Sequence, residues 1–208
     1  MSDDLDDFFQ DNTRQTRADA QKNRDLILTA AKQLFAEQGV EAVSMTAIAV
    51  AAGVGKGTLY RHFESKMMLC IALLDADQRD LQARSFRRFA KPDSPRHKLH
   101  WFLSAVIAFV VEHEAMLNLP DAGSTYAAAH WRAHGWWRQT IIGLLRPLRP
   151  KGDLEMITDM IFLLIDVRAV GYLVRGRGYT QGRIVEGICR LIDGLLPETN
   201  PYNIFQGN

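Results

Sequence analysis

Residues 43–66, VSMTAIAVAAGVGKGTLYRHFESK, gather the side chains of this chain best suited to holding a polyanion. Lys56, Arg61 and Lys66 are cations, and Thr58, Tyr60 and His62 place hydrogen-bonding groups among them. Such a set suits DNA, where phosphate contacts fix position and base-edge contacts specify sequence. Lys56 and Thr58 stand at the start of a short helix, where base edges come nearest in the major groove. Gly57 beside them lets backbone approach backbone. Each cation alone fits a solvated helix face equally well.

The surrounding residues form a support for that helix. Ile48, Ala49, Ala52, Val54, Leu59 and Phe63 make a small apolar core. Gly53 sits where a first helix must stop, because glycine reaches positive φ without steric cost. Gly55 precedes the second helix as a permissible N-cap. Two short helices joined by a tight turn are a helix-turn-helix, and the second is the right size for a major groove.

The wording is closer than a generic helix-turn-helix. Ile48-Ala49, Ala52-Gly53-Val54, Lys56-Gly57-Thr58-Leu59-Tyr60, His62-Phe63 and Ser65-Lys66 follow one another in order. Upstream stand Ile27-Leu28, Ala30-Ala31, Leu34-Phe35 and Gly39. Over about residues 19–70 this resembles the TetR family of bacterial transcriptional repressors. Beyond residue 70 the likeness is architectural only. The resemblance implies that Tyr60, His62 and Lys66 touch phosphate or neighbouring sugar, and that Thr46 touches a base or a phosphate. Taken with that spacing, Lys56, Gly57, Thr58 and Arg61 read as DNA-contacting too. Two positions depart from the pattern. Ala47 stands where a capping box would place Glu or Gln after Ser44. Gly55 stands where the family often has Ser, which weakens the cap of the second helix.

The 208 residues suit one fold unit or two small ones, and 47% hydrophobic content can bury a sizeable core. Net charge is only +1, so the whole surface is not a general trap for nucleic acid. Charge is uneven, however. Asp3, Asp4, Asp6, Asp7 and Asp11 make the start acidic, and Arg14, Arg17, Lys22 and Arg24 follow. Cys70 and Cys189 are far apart in apolar contexts, which fits buried thiols in a reducing cytoplasm. The acidic start lacks the apolar run of a signal peptide. Residues 160–174, MIFLLIDVRAVGYLV, are interrupted by Asp166 and Arg168 and fall short of the ~20 residues a membrane span needs.

Helical spacing recurs throughout and alternating strand patterns are absent, so the expected class is all-α. Residues 1–15 read as a disordered acidic tail, 16–66 as a three-helix DNA-binding domain, 67–198 as a helical bundle and 199–208 as a tail. The first helix is expected over about 19–38, ended by Gly39. A long fourth helix starts near Ser65, and Pro92 and Pro95 close it. Further helices are expected over 96–118, 125–146, 153–174 and 183–196. The 153–174 helix is apolar nearly all round, which implies burial on more than one side.

Spacing argues against other chemistry. The run Gly53-Val54-Gly55-Lys56-Gly57-Thr58 invites a phosphate-loop reading. That loop needs glycine at position 50, where Val stands, and Ser or Thr directly after Lys56, where Gly57 stands. His130 and His134 share a helix face, but no Cys pair or HExxH pattern completes a metal site. Trp101, Phe109, Tyr126, His130, His134 and Trp137, with Asp166, could line an apolar ligand cavity with a few polar groups. The same rings equally suit plain core filling. Asp166 and Arg168 interrupt an apolar helix and need partners, either across a subunit interface or in a pocket.

The expected protein is therefore an all-helical repressor. Its N-terminal part reads a palindromic DNA operator. Its C-terminal bundle, as the resemblance implies, binds a small apolar or aromatic effector and forms a homodimer through the last two helices, where Gly187 and Gly194 permit close approach. No cofactor, metal, membrane or catalytic constellation is expected. A DNA-binding protein without effector, and a carrier or enzyme using the aromatic cavity alone, stay open beside it.

Overall fold

The structure, a computed structural model, describes residues 3–117 and 124–197, with side chains described for 18–117 and 133–197. Every element among them is helical. These residues divide into two compact units, 3–76 and 77–117 with 124–197. The boundary between these units falls within the fourth helix.

The first unit holds α1 (Asp3–Gln38), α2 (Met45–Ala51), α3 (Lys56–His62) and the start of α4 (Lys66–Phe89). The acidic stretch expected to lack structure is helical from Asp3 on. No Gly or Pro stands between Asp3 and Gln38 to break the helix. Gly39, at φ +83°, ends it. The helices α1, α2 and α3 pack on one another in all three pairings. Ile27, Ala31, Phe35, Ile48, Leu59 and Phe63 form their core.

The second unit is built round α5 (Pro95–Glu112). Leu99, Phe102, Leu103, Val106 and Ile107 of this helix are fully buried. After His113 come α6 (Glu114–Leu117), α7 (Ser124–Leu145) and a 3₁₀ turn (Arg146–Leu148). Then follow α8 (Leu154–Leu164), α9 (Val167–Gly171), a π-helical turn (Tyr172–Gly176) and α10 (Gln181–Leu195). The helices α7, α9 and α10 all pack against α5, and α8 packs on α7 and α9. Arg138 of α7 donates to Glu155 and Asp159 of α8, at 2.6 Å each.

The helix expected over 153–174 is broken in two. Neither Gly nor Pro marks the break. Asp166 leaves helical geometry at ψ 144° and its carboxylate accepts the Arg168 backbone N–H at 2.8 Å. A short acidic side chain offers that cap in place of a continued helical bond. Asp166 is thus a cap, and Arg168 is exposed rather than buried.

Two acidic residues tie the N-terminal end of α5 to neighbouring segments. Asp193 of α10 accepts a bidentate pair from Arg96, 2.7 Å to each oxygen, and lies 3.0 Å from His100 Nε2. Burial pushes the Asp193 carboxyl up, but Arg96 and His100 outweigh it and hold it below the ordinary range. In the α4–α5 turn, Asp93 accepts from Arg88 and lies 3.0 Å from His97 Nδ1. The Arg88 bond first, then His97, brings the Asp93 carboxyl from the usual 3.8 down to about 2. A carboxyl more acidic in the folded state stabilises it above the unfolded value, and the contribution fades as the pH falls through the folded one. We therefore expect the native state to lose stability as the pH drops from about 4 towards 2. Urea unfolding across that range should show a shallower decline in Asp93→Asn, and an unchanged slope would remove Asp93 from the account.

Candidate nucleic-acid interface and effector site

The α2–α3 turn is held by backbone geometry. Gly53 adopts φ +66°. Its N–H bonds Val50 O at 3.1 Å, and the Val54 N–H bonds Ala49 O at 3.0 Å. That pair is a Schellman ending, which satisfies two carbonyls left over at the end of α2. At the other end of α2, Ser44 Oγ accepts the Ala47 N–H at 3.1 Å, so the cap forms without the glutamate of a capping box. Gly55 caps α3 with no side-chain bond, as its missing side chain requires.

In α3 the buried Leu59 faces inward. Lys56, Gly57, Tyr60 and Arg61 are exposed, and Thr58 and His62 are half-buried. Thr46 is exposed on the first turn of α2. The Arg61 guanidinium donates to Thr58 Oγ1 at 3.1 Å, one turn earlier. Lys66 departs from the simple picture of a free phosphate ligand. Its ammonium donates to the Glu41 carbonyl at 3.0 Å, tying the start of α4 to the segment before α2. Arg24, absent from the sequence-derived site, lies over the Phe63 ring with its guanidinium carbon 4.6 Å from the centroid. Its place in a charge-rich stretch of α1 gave no hint of that stacking.

In the second unit the structure brings together Phe109, His134 and Trp137. Phe109 and Trp137 meet edge to face at 5.6 Å, and His134 lies 5.8 Å from Trp137 and 4.8 Å from Phe162. Trp101 belongs to another cluster, edge-on to Phe89 at 6.2 Å. Tyr126 and His130 lie outside the described side chains. Asp166 serves its helix cap.

The sequence-derived site omitted the polar members of this region. Buried His113 packs on Phe109 at 4.4 Å, and its Nε2 lies 3.4 Å from Asp77. Gln78 is 8% exposed and accepts the Trp137 indole N–H through Oε1 at 3.1 Å. One signal could have found it: Leu74, Gln78, Leu81 and Ser85 fall on one helix face, and Gln interrupts the apolar stripe. Among the described residues, no group of three or more His, Cys, Asp or Glu could hold a metal ion. No helix among them is long and apolar enough to cross a membrane.

A separate groove of about 550 Å³ runs along α10, lined by Leu164, Leu173, Tyr179, Ile184, Gly187 and Leu191 among others. Beside it α8 exposes Met156, Met160, Leu163 and Leu164, and α10 exposes Leu191 and Leu195. The apolar stripe of α10 is thus divided. Ile184, Ile188 and Ile192 are buried within the chain, while Leu191 and Leu195 turn outward.

Residues 27–73 match the family model described as bacterial regulatory proteins, tetR family. The chain is 36% identical over 109 residues to an HTH-type transcriptional regulator of Staphylococcus aureus (strain MRSA252), a match spanning 52% of this chain and 58% of that relative. Thermus thermophilus FadR, a TetR-family transcriptional repressor solved with lauroyl-CoA, shares the fold at TM-score 0.64 and 22% identity, covering 86% of this chain and 97% of that one. RolR solved with resorcinol matches at TM-score 0.63 and 19% identity, covering 84% and 89%. Residues 27–73 thus match that family's DNA-binding segment, and the helical architecture is shared with these solved structures.

The geometry of the turn predicts the cost of losing its cap. Ser44→Ala should destabilise the first unit by about 1 kcal/mol, and Ser44→Gly by only a few tenths. Urea unfolding of the two variants checks the order, which reverses if Ser44 does not cap.

Proposed function

We propose that this protein is a transcriptional repressor that binds a palindromic operator as a homodimer and is released by a small apolar or aromatic effector. The observation that carries the DNA reading is α3, which buries Leu59 and exposes Lys56, Gly57, Tyr60 and Arg61 within the segment matched to the family. Thr46, Thr58, His62 and Lys66 complete the interface. Residues 16–66 carry DNA recognition and 67–198 carry effector binding and dimerisation. The lauroyl-CoA and resorcinol held by proteins of the same fold support a small-molecule effector. Phe109, His134 and Trp137, with Tyr126 and His130 earlier on the same helix as His134, are its lining. The two buried cysteines suit a reducing cytoplasm, and burial pushes the Cys70 thiol up to about 11, out of reach of easy oxidation.

The dimer reading rests on the outward apolar face. Leu163 is 62% exposed and Leu191 63%, a patch that a second copy would cover. Gly187 and Gly194 have open space where a side chain would stand, so a helix can come close there.

Selection of bound duplexes from random DNA tests the first claim. It should return near-palindromic sites with half-sites about one helical turn, ~34 Å, apart. Lys56→Ala should then change base preference, whereas Arg61→Ala should weaken all sequences alike and lower the salt slope by about one. A wild type that prefers no duplex at moderate salt would overturn the DNA reading. For assembly, Leu163→Asp with Leu191→Asp should give monomers in sedimentation and abolish tight operator binding. Ile188 is unsuitable for this test, because at 5% exposure it belongs to the chain's own core. A wild type monomeric at micromolar concentration would end the dimer reading.

A further inference from the structure

The second unit keeps one strong donor buried without a partner, and the surroundings define what could satisfy it. Indole N–H is donor-only, so its bond from Trp137 to Gln78 requires the amide oxygen of Gln78 on that side. The amide nitrogen is thereby turned away from Trp137. Gln78 Nε2 is buried and has no hydrogen-bond partner among the described residues. Leaving a buried amide donor unmade is costly, so such an atom calls for an acceptor.

The neighbourhood restricts that acceptor. Trp137, Phe109, His134 and Phe162 present ring faces and edges within 4.8 to 5.8 Å of one another in sequence of contact. Rings so arranged favour a planar aromatic guest. The charges nearby are carboxylates, each already matched to a base. Asp77 lies 3.4 Å from His113 Nε2. Glu114 lies 2.6 Å from Arg175. Among the described residues these carboxylates already take the nearby His113 and Arg175, and a second anion beside Asp77 would be repelled.

We propose that Gln78 Nε2 is the polar anchor of the effector site and donates to a neutral oxygen acceptor, such as a ketone or ester carbonyl, on an aromatic ligand packed among Phe109, His134, Trp137 and Phe162. This rests on the reading of the second unit as effector-binding and names the chemical class it takes. Gln78 stands in α4, the helix that begins at Lys66.

The test uses the purified full-length chain and three probes of one shape: 2-acetylnaphthalene, 2-ethylnaphthalene and 2-naphthoate. Calorimetric titration without DNA should show the acetyl compound binding about tenfold more tightly than the ethyl one, the usual worth of one buried hydrogen bond. The naphthoate should bind more weakly than the acetyl compound. Gln78→Met, close to isosteric, should bring the acetyl and ethyl affinities together while the ethyl compound still binds. Equal wild-type affinities for acetyl and ethyl overturn the anchor alone, since a trapped water already satisfying Gln78 gives that result. Tightest binding of the naphthoate overturns the neutral class. No binding of any probe at millimolar concentration overturns both the anchor and the effector-site reading beneath it, and leaves the DNA reading to its own test.

Discussion

A broad apolar helix face must be covered, and α5 imposes that constraint on the second unit. Leu99, Phe102, Leu103, Val106 and Ile107 form that face and all are fully buried. At roughly 25 cal/mol per Å² of apolar surface, this burial outweighs any single ion pair around it. The neighbours α7, α9 and α10 are therefore placed by α5 rather than by each other. Polar groups are admitted only at its ends. Arg96 and His100 meet Asp193 at one end, and His113 meets Asp77 at the other. Those contacts fix register and orientation, because a desolvated carboxylate tolerates few alternative partners.

The reading head depends on a smaller device. The two short helices α2 and α3 bury few side chains, so backbone geometry at the turn carries much of the specification. Gly53 at φ +66° closes α2, and the Val54 N–H completes the Schellman pair. Lys66 adds a second fastening through the Glu41 carbonyl. A cation that holds the scaffold in this way can still present charge outward, because an ammonium has three donors and this contact uses one. That double duty makes Lys66 a poorer probe of phosphate contact than Arg61, whose recorded bond stays within α3.

Much of this was legible in the chain. Gly39 and Gly53 announced the ends of α1 and α2, and Pro92 and Pro95 bracketed the α4–α5 turn, because those residue types restrict the backbone directly. The break at Ile165–Asp166 was not legible. Its cap is a single aspartate inside an apolar run, and the run's periodicity is the same whether the helix continues or restarts. The candidate site was half visible. Phe109, His134 and Trp137 were named from helical spacing. Their partners Gln78, Asp77 and His113 come from α4 and from the end of α5, and proximity between separate helices is not encoded in the period of either. Trp101 and Trp137 looked alike in sequence, yet packing sends one to Phe89 and the other to Phe109.

The last helices show how a stripe can carry two constraints at once. In α10 the apolar positions 184, 188, 191, 192 and 195 fall within the roughly 100° arc of a single face. Within the chain, Ile184, Ile188 and Ile192 take the inward part of that band. What remains, Leu191 and Leu195 with Gly187 and Gly194 between and beside them, has no partner of its own among the described residues. The same surplus appears on α8, where Thr158 and Ile161 face inward and Met156, Met160 and Leu163 face out. Two adjacent helices with matched surplus faces amount to a surface, and its apolar character is costly in water unless something covers it. The homodimer we propose would cover this surface, since one two-fold operation lets each copy's α8 and α10 face the other's. Its spacing would then set the distance at which two copies of α3 meet successive turns of one duplex.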